Sequence, residues 1–227
     1  LIAPTITAPA NKIVSNDKGI CGATITNLGN PIATDNCSID NIVNDAPAIF
    51  PVGTTLVTWT VTDNNGNTAS TTQTVTVNDT EKPTAIAQNK TVYLDNAGNA
   101  TISTTDIDNV SVDNCDTSVS LSLDITSFDC SKLGANTVTL TVTDDAGNVA
   151  SATATVTVID NIKPVITASG DQTVSNDTGV CGALVTVSAT ASDNCLPMSN
   201  TPTGVRSDSL LLSDVYPVGT TTITWTV

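Results

Sequence analysis

The side chains in this chain that can do chemistry are carboxylates and thiols. There are 22 acidic residues against seven basic ones and no histidine, for a formal net charge of −15. Without histidine the commonest general base and zinc ligand is missing. Acidic residues and asparagines gather in short glycine-containing stretches, among them Asn16-Asp17-Lys18-Gly19, Asp63-Asn64-Asn65-Gly66-Asn67 and Asp144-Asp145-Ala146-Gly147-Asn148. Calcium takes roughly six to eight oxygen ligands, and carboxylates interleaved with amide and backbone carbonyls in tight turns supply them. The competing reading is turn chemistry, since Asn, Asp and Gly are also what any hairpin turn needs. An acid/base carboxylate pair for glycoside hydrolysis would single out two residues in one place. Nothing here does so, and the expectation is a non-enzymatic protein.

The second chemical resource is six cysteines. Pairing within each repeat is the economical arrangement: Cys21 with Cys37, Cys115 with Cys130, and Cys181 with Cys195. These separations (37 − 21 = 16, 130 − 115 = 15, 195 − 181 = 14) close loops that each restrict the unfolded chain by about 3 kcal/mol in the entropy model. Disulfides imply an oxidising compartment. Zinc would want close soft ligands, and there is neither a Cys-x-x-Cys pair nor a histidine. A disulfide also needs its Cα atoms within about 7 Å. Gly29-Asn30-Pro31 offers the first pair a chain reversal, whereas no Gly or Pro lies between Ala183 and Asn194.

The elements that position these groups come from a repeat. Residues 57–83 recur almost whole at 138–164, with Asp63 matching Asp144 (144 − 63 = 81). A period of that size means tandem modules, and cutting at the recurring Asp gives residues 1–79, 80–160 and 161–227. Aromatic content of 3% with abundant Thr and Val suits strands and not helices. Val57, Trp59 and Val61 alternate with Thr58, Thr60 and Thr62, the period of a half-buried strand. Val138, Leu140 and Val142 repeat the apolar face, as do Ile223, Trp225 and Val227. Residues 63–67 then turn a hairpin into a last strand, 68–77. The fold class is therefore all-β, three immunoglobulin-like sandwich modules in an elongated array. The third is incomplete: it reaches Val227 where repeat one has Val61, and lacks the turn and the last strand. The chain reads as cut from a longer array, with that strand supplied from its own chain or by a partner.

If the last strand is extended, its turn lies at the opposite end of the module from the linker that follows it. The turn at 144–148 then meets the linker at 78–83, which residues 16 and 17 approach from the other side. This gathers Asp17, Asp79, Glu81, Asp144, Asp145 and Asn148 around one junction, and Asp95 and Asp160 begin an equivalent set at the next. The Asp-Asn-Cys triplets at 35–37, 113–115 and 193–195 add Asp35, Asp113 and Asp193, read mainly as caps of turns beside the cysteines. A glycan-binding site is a rival use of the surface. Its stacking platform would fall to Tyr93 and Phe128, because the two Trp are on the apolar face and Phe50 and Tyr216 sit in matching turns. Lys12 and Lys90 align in the first strand, but Gln172 stands nearby in repeat three, which argues against a shared isopeptide cross-link. The acidic balance repels nucleic acid and anionic membranes, and no run is apolar enough to span a bilayer.

The order Asn-Asp-x-Gly-x-Cys-Gly-Ala (16–23 and 176–183), Asp-Asn-Cys, Phe/Tyr-Pro-Val-Gly-Thr-Thr (50–55 and 216–221), Trp-Thr-Val-Thr-Asp and Thr-Val-Thr-Val resembles the HYR (hyalin repeat) domain, an extracellular immunoglobulin-like module linked to adhesion. The resemblance covers repeats one and three. It implies a cell-surface segment acting as spacer or adhesive stalk, whose partners are neighbouring repeats, a surface polysaccharide or another cell-surface protein. Many members carry a second Cys pair; Ala8 and Thr71 stand near those places. Repeat two has Cys130 after Asp-Asn-Cys and none before it, a variant type. Its alternation with the others and the Thr/Asn-rich linkers resemble the long gliding-motility adhesins of Bacteroidetes exported by the type IX secretion system.

Overall fold

The alternating stretch around Trp59 forms strand Gly53–Asp63 in the computed structural model, which describes residues 2–195 and 201–227. Val57 and Val61 are fully buried and Trp59 nearly so, while the Thr side faces outward into a ladder in which Thr60 Oγ1 meets Ser70 Oγ at 3.0 Å. The Trp59 indole N–H donates to Gln73 Oε1 at 3.1 Å. Gln73 is itself buried, and its amide donates to the carbonyls of Ala10 (2.7 Å) and Leu28 (2.9 Å). A buried amide is tolerable only when so satisfied, and here it ties the central strands to two loops.

Strand Gly53–Asp63 pairs antiparallel with Thr68–Asn78, Val57 opposite Gln73. The sheet order is Lys12–Ser15, Thr68–Asn78, Gly53–Asp63, Ile39–Asn44, with Lys12–Ser15 parallel to its neighbour. Thr5–Thr7 with Ile32–Thr34 and Gly22–Ala23 with Phe50–Pro51 form two further ribbons. Ala23, Phe50, Val57, Trp59, Val75 and Val77 make one core between these layers, the sandwich solution to a sheet with one apolar face. The glycine of Cys-Gly-Ala has a steric reason: a Cβ on Gly22 would meet the Phe50 carbonyl oxygen at 2.6 Å, and Gly182 faces the Tyr216 carbonyl in the same way.

Repeat two repeats the sheet order as Ser120–Leu123, Gly134–Thr143, Val149–Ile159, Lys90–Tyr93, the last again parallel. Val138, Leu140, Val142, Val156 and Val158 are buried in it. A four-residue helix, Thr104–Ile107, contributes the buried Ile107. Repeat three pairs Val165–Ala168 with Ala189–Ser192, Gly182–Ala183 with Tyr216–Pro217, and Thr203–Arg206 with Ile223–Thr226. Among the described residues Ile223–Thr226 has a strand on one side only. An open groove of about 930 Å³ lies against Val174, Val185, Val187, Ile223 and Trp225, and Trp225 is half-buried where Trp59 is buried.

Arg206, the chain's single arginine, is buried in this repeat. Its guanidinium donates to Asp208 and to the carbonyls of Leu211 (2.8 Å) and Asp214 (2.9 Å), and lies 3.8 Å over the Tyr216 ring. A buried charge must be paired and saturated in this way, and the result is a loop wound around one cation. By compactness the chain divides into two units. Leu1–Gln88, Thr104–Asp124 and Thr139–Ala154 form the first, and Asn89–Ser103, Ile125–Val138 and Thr155–Val227 the second.

Candidate functional site

Two residues of the turn at 16–19 take hold of the linker after repeat one. Asn16 donates its backbone N–H to the Asn78 carbonyl (2.9 Å), and its side-chain oxygen accepts the Thr80 N–H (3.0 Å). Glu81 accepts the Gly19 N–H at 2.7 Å. From repeat two, the Asn148 side-chain amide donates to the Asp79 carbonyl at 3.3 Å. All of these groups belong to the first compact unit, and the linker is fastened on both sides as the strand length anticipates.

The carboxylates divide by what they hold. Asp17 accepts the Thr24 N–H at 2.8 Å and so braces its own turn, as Asp177 does with Leu184 at 3.0 Å. Asp95 accepts the N–H groups of Ala97 and Asn99, both at 2.9 Å. Asp63 accepts the N–H groups of Asn65 and Asn67, both at 2.8 Å, and the Asn67 side-chain amide at 2.7 Å. That last bond, with the backbone donors and against the cost of burial, holds the Asp63 carboxyl below the usual carboxylate range. For these residues the turn explains the carboxylate.

A different set converges. Oxygens of Asp113, Asp116 and Asp144 lie within 4.8 Å of one another, and a second grouping joins Asp79 and Asp113 to the Cys115 sulfur at the same spacing. Asp144 is buried, and its two oxygens accept the Asn148 N–H (2.7 Å) and amide (2.9 Å). Asp116 accepts the Asp145 N–H at 2.7 Å. Asp113 accepts the Cys115 N–H through Oδ2 at 2.7 Å, while its Oδ1 is buried with no partner. Like charges this close repel one another, and a bound cation would offset that repulsion. The donors are hard oxygens, and the orphaned Asp113 Oδ1 has spare coordinating capacity, so the set fits calcium. Cys115 does not belong to such a set: burial first, then Cys21 and Asp79 beside it, push its thiol up, away from the thiolate a soft metal needs.

Of the residues expected at the first junction, Asp79, Asp144 and Asn148 therefore meet. Glu81 accepts the Gly19 N–H, Asp145 donates its N–H to Asp116, Asp17 is spent on its own turn, and all three lie outside both carboxylate groupings. Asp116 was not anticipated; its position directly after Asp-Asn-Cys was the only signal. In the second unit, Asp160 accepts the Ile162 N–H at 3.0 Å and the Asn194 side-chain amide at 3.3 Å, and the same amide donates to the Asp95 carbonyl at 3.1 Å. No third carboxylate or thiol completes a grouping there among the described residues.

The cysteine pairing expected from sequence is corrected. Cys130 bonds Cys195, with Cα atoms 5.3 Å apart and a sequence separation of 65, and Cys21, Cys37, Cys115 and Cys181 are thiols. Cys130 and Cys195 have each other, so neither Cys115 nor Cys181 has its intra-repeat partner. Cys21 and Cys37 lead into different layers: Gly22–Ala23 pairs with Phe50–Pro51, Ile39–Asn44 with Gly53–Asp63. The missing chain reversal between Ala183 and Asn194 is thereby accounted for, because no bridge asks repeat three to bend there. Phe128 is also corrected as a sugar platform, being buried at 3% exposure; Tyr93 is exposed.

Residues 2–77 match the family model of the HYR domain. Along 97% of its length the chain is 32% identical to hyalin of Strongylocentrotus purpuratus, and spans 19% of that protein. Among solved structures, Drosophila N-cadherin EC1–4 aligns at a TM-score of 0.42 and 12% identity, over 70% of this chain and 50% of that one. The human mucin-like protocadherin EC1–2 aligns at 0.41 and 12%, over 69% of this chain and 98% of that one.

Proposed function

With an HYR domain matched over residues 2–77, we propose that this chain is a non-enzymatic extracellular segment of a long cell-surface adhesin, in which repeats 1–79, 80–160 and 161–227 act as spacers. The observation that carries this is the double fastening of the linker: Asn16 and Gly19 hold residues 78–81 from repeat one, and Asn148 holds Asp79 from repeat two. A linker held at the Asn78 and Asp79 carbonyls and the Thr80 and Glu81 N–H groups has lost much of the conformational freedom of a flexible tether.

Calcium stiffens the first junction in this reading. Asp113, Asp116 and Asp144 supply the ligands, with Asp79 beside them, and the cation neutralises a cluster that otherwise repels itself. Small-angle scattering of the purified chain tests the pair of statements. The expected outcome is a maximum dimension that is sharply defined in calcium and broadened in EGTA. Identical profiles in the two buffers would remove calcium from the joint, and a profile typical of flexible beads in both would remove the spacer.

Display on a gliding bacterium after type IX export extends the proposal, on the resemblance of the alternating repeats and linkers. Surface labelling with an antibody to this segment tests it, and signal confined to the cell interior overturns it. For the glycan-binding reading the buried Phe128 leaves Tyr93 as the single exposed ring among the described residues, Tyr216 and Trp225 being half-buried. A flat response on a glycan array is the expected result.

A further inference from the structure

The observed bridge joins two different sequence repeats. Cys195 closes the Asp-Asn-Cys of repeat three, and Cys130 belongs to repeat two. The local device that aims Cys195 is the carboxylate of Asp193, which accepts the Cys195 N–H at 3.0 Å. Repeat two carries the same device: Asp113 Oδ2 accepts the Cys115 N–H at 2.7 Å. Cys115 is thus presented as Cys195 is, one repeat earlier.

What Cys115 faces is Cys21 of repeat one. Its sulfur is within 4.8 Å of an Asp79 oxygen in the linker, and the Cys21 side chain is near enough to help raise the Cys115 thiol. Cys21 in turn ends the turn that grips that linker. Asp17 donates its N–H to the Gly22 carbonyl (2.7 Å), on one side of Cys21, and Asn16 and Gly19 hold Asn78 and Glu81 on the other. Cys21 is thus carried by a turn hydrogen-bonded to the linker, and the Cys115 sulfur lies against Asp79 of that linker, all inside the first compact unit. Cys37, the partner expected from sequence, opens into the other layer.

We propose that Cys21 and Cys115 form a second cross-repeat disulfide. The two bridges then obey one rule: the cysteine of Asp-Asn-Cys bonds a cysteine of the repeat before it. The chemistry is thiol–disulfide exchange with an oxidised low-molecular-weight or exchange-protein disulfide. The Cys21 thiolate, on the exposed side, attacks one sulfur of the oxidant and releases the other as a thiolate. Cys115 then loses its proton to solvent and attacks Cys21 Sγ, expelling the second thiolate. The protein gives up two electrons and two protons, and the oxidant becomes two thiols. In an array the rule assigns Cys37 to a preceding repeat and Cys181 to a following one, so in the isolated 227-residue chain used for the test both are expected to stay reduced.

The test is peptide mapping of the 227-residue chain, equilibrated with oxidised and reduced glutathione, alkylated without reduction and digested. The expected map contains a Cys21–Cys115 peptide and a Cys130–Cys195 peptide, with alkyl groups on Cys37 and Cys181 only. A Cys37→Ser, Cys181→Ser double variant keeps both bridges and shows no alkylated cysteine. Cys115→Ser leaves Cys21 alkylated while Cys130–Cys195 still forms, which serves as the folding control in the same digest. A Cys21–Cys37 peptide, or alkylated Cys21 beside a closed Cys130–Cys195, overturns the proposal. Absence of both bridges overturns the pairing rule itself.

Discussion

The two junctions of this chain use one motif for different ends. At the first, Asp-Asn-Cys brings Asp113 into a carboxylate cluster with Asp116 and Asp144, and its cysteine is a thiol facing Cys21. At the second, the motif's amide does the joining: Asn194 spans the Asp95 carbonyl and the Asp160 carboxylate, and its cysteine is already bonded. The residue after the cysteine differs accordingly, Asp116 in repeat two and Leu196 in repeat three. Asp116 adds a third carboxylate oxygen to the first joint, whereas at the second the Asn194 amide bonds the single carboxylate of Asp160. The lesson is that a backbone turn repeated along the chain fixes where the cysteine goes, while its neighbours decide what else the site holds.

The largest effect that can break this comparison is loss of a bridge. Cys130→Ser opens a loop of 65 residues, and the chain-entropy model puts the loss at about 4 kcal/mol in denaturant unfolding of the unreduced protein. Cys115→Ser loses a similar amount when the first junction is also closed. A loss confined to Cys130→Ser would leave the junctions different in kind.

Glycine sharpens the contrast at smaller cost. A Cβ on Gly98 would meet Cys130 Sγ and the Asn194 carbonyl oxygen, each at 2.8 Å, at a φ of +75°. Gly98→Ala is expected to cost about 1–3 kcal/mol through overpacking and backbone strain and to lower the yield of the Cys130–Cys195 peptide. Gly19 shares the positive φ, but nothing lies within 4 Å of its added Cβ, so Gly19→Ala costs about 1 kcal/mol by strain alone. Equal losses would show that crowding at the bridge is unimportant.

Calcium separates the junctions next. If calcium occupies the proposed site, a concentration about 100-fold above its dissociation constant is expected to raise stability by about 2.7 kcal/mol, read as a shift in the thermal midpoint against EGTA. Asp113→Asn and Asp116→Asn abolish the shift, and Asp160→Asn leaves it in place. A shift that survives Asp116→Asn would move the cation elsewhere. The smallest effect is a control outside both junctions. Asp63 has a folded value below its unfolded one, so its contribution is present above the usual carboxylate range and disappears as pH falls through the folded value. Asp63→Asn is expected to flatten part of the acid limb of a pH–stability curve without touching the calcium shift.

Much of the architecture was legible because it rests on local periods. The Val57, Trp59, Val61 alternation marks a strand with one buried face wherever it occurs, and Asp63 to Asn67 can hardly do anything but turn. Even the meeting of Asn148 with the linker followed from strand length alone. The sites were less legible. Asp17 and Asp95 have the same composition as a ligand but are consumed by their own turns, and only side-chain geometry distinguishes them from Asp113 and Asp116. Gln73, which fastens Trp59 to two loops, shares the apolar face of Val75 and Val77 by the strand's period of two, but which groups its amide would satisfy there only the fold decides.

The sequence by itself determined the strands, the hairpins, the repeat and the resemblance, since each depends on contacts between residues near in the chain. Which cysteine meets which was decided by tertiary structure alone. Cys21 and Cys37 are neighbours in sequence, yet the strands they lead into belong to different layers of the sandwich, and Cys130 finds Cys195 across 65 residues. A disulfide forms where Cα atoms come within reach in space, and proximity along a chain that folds into two layers says little about that.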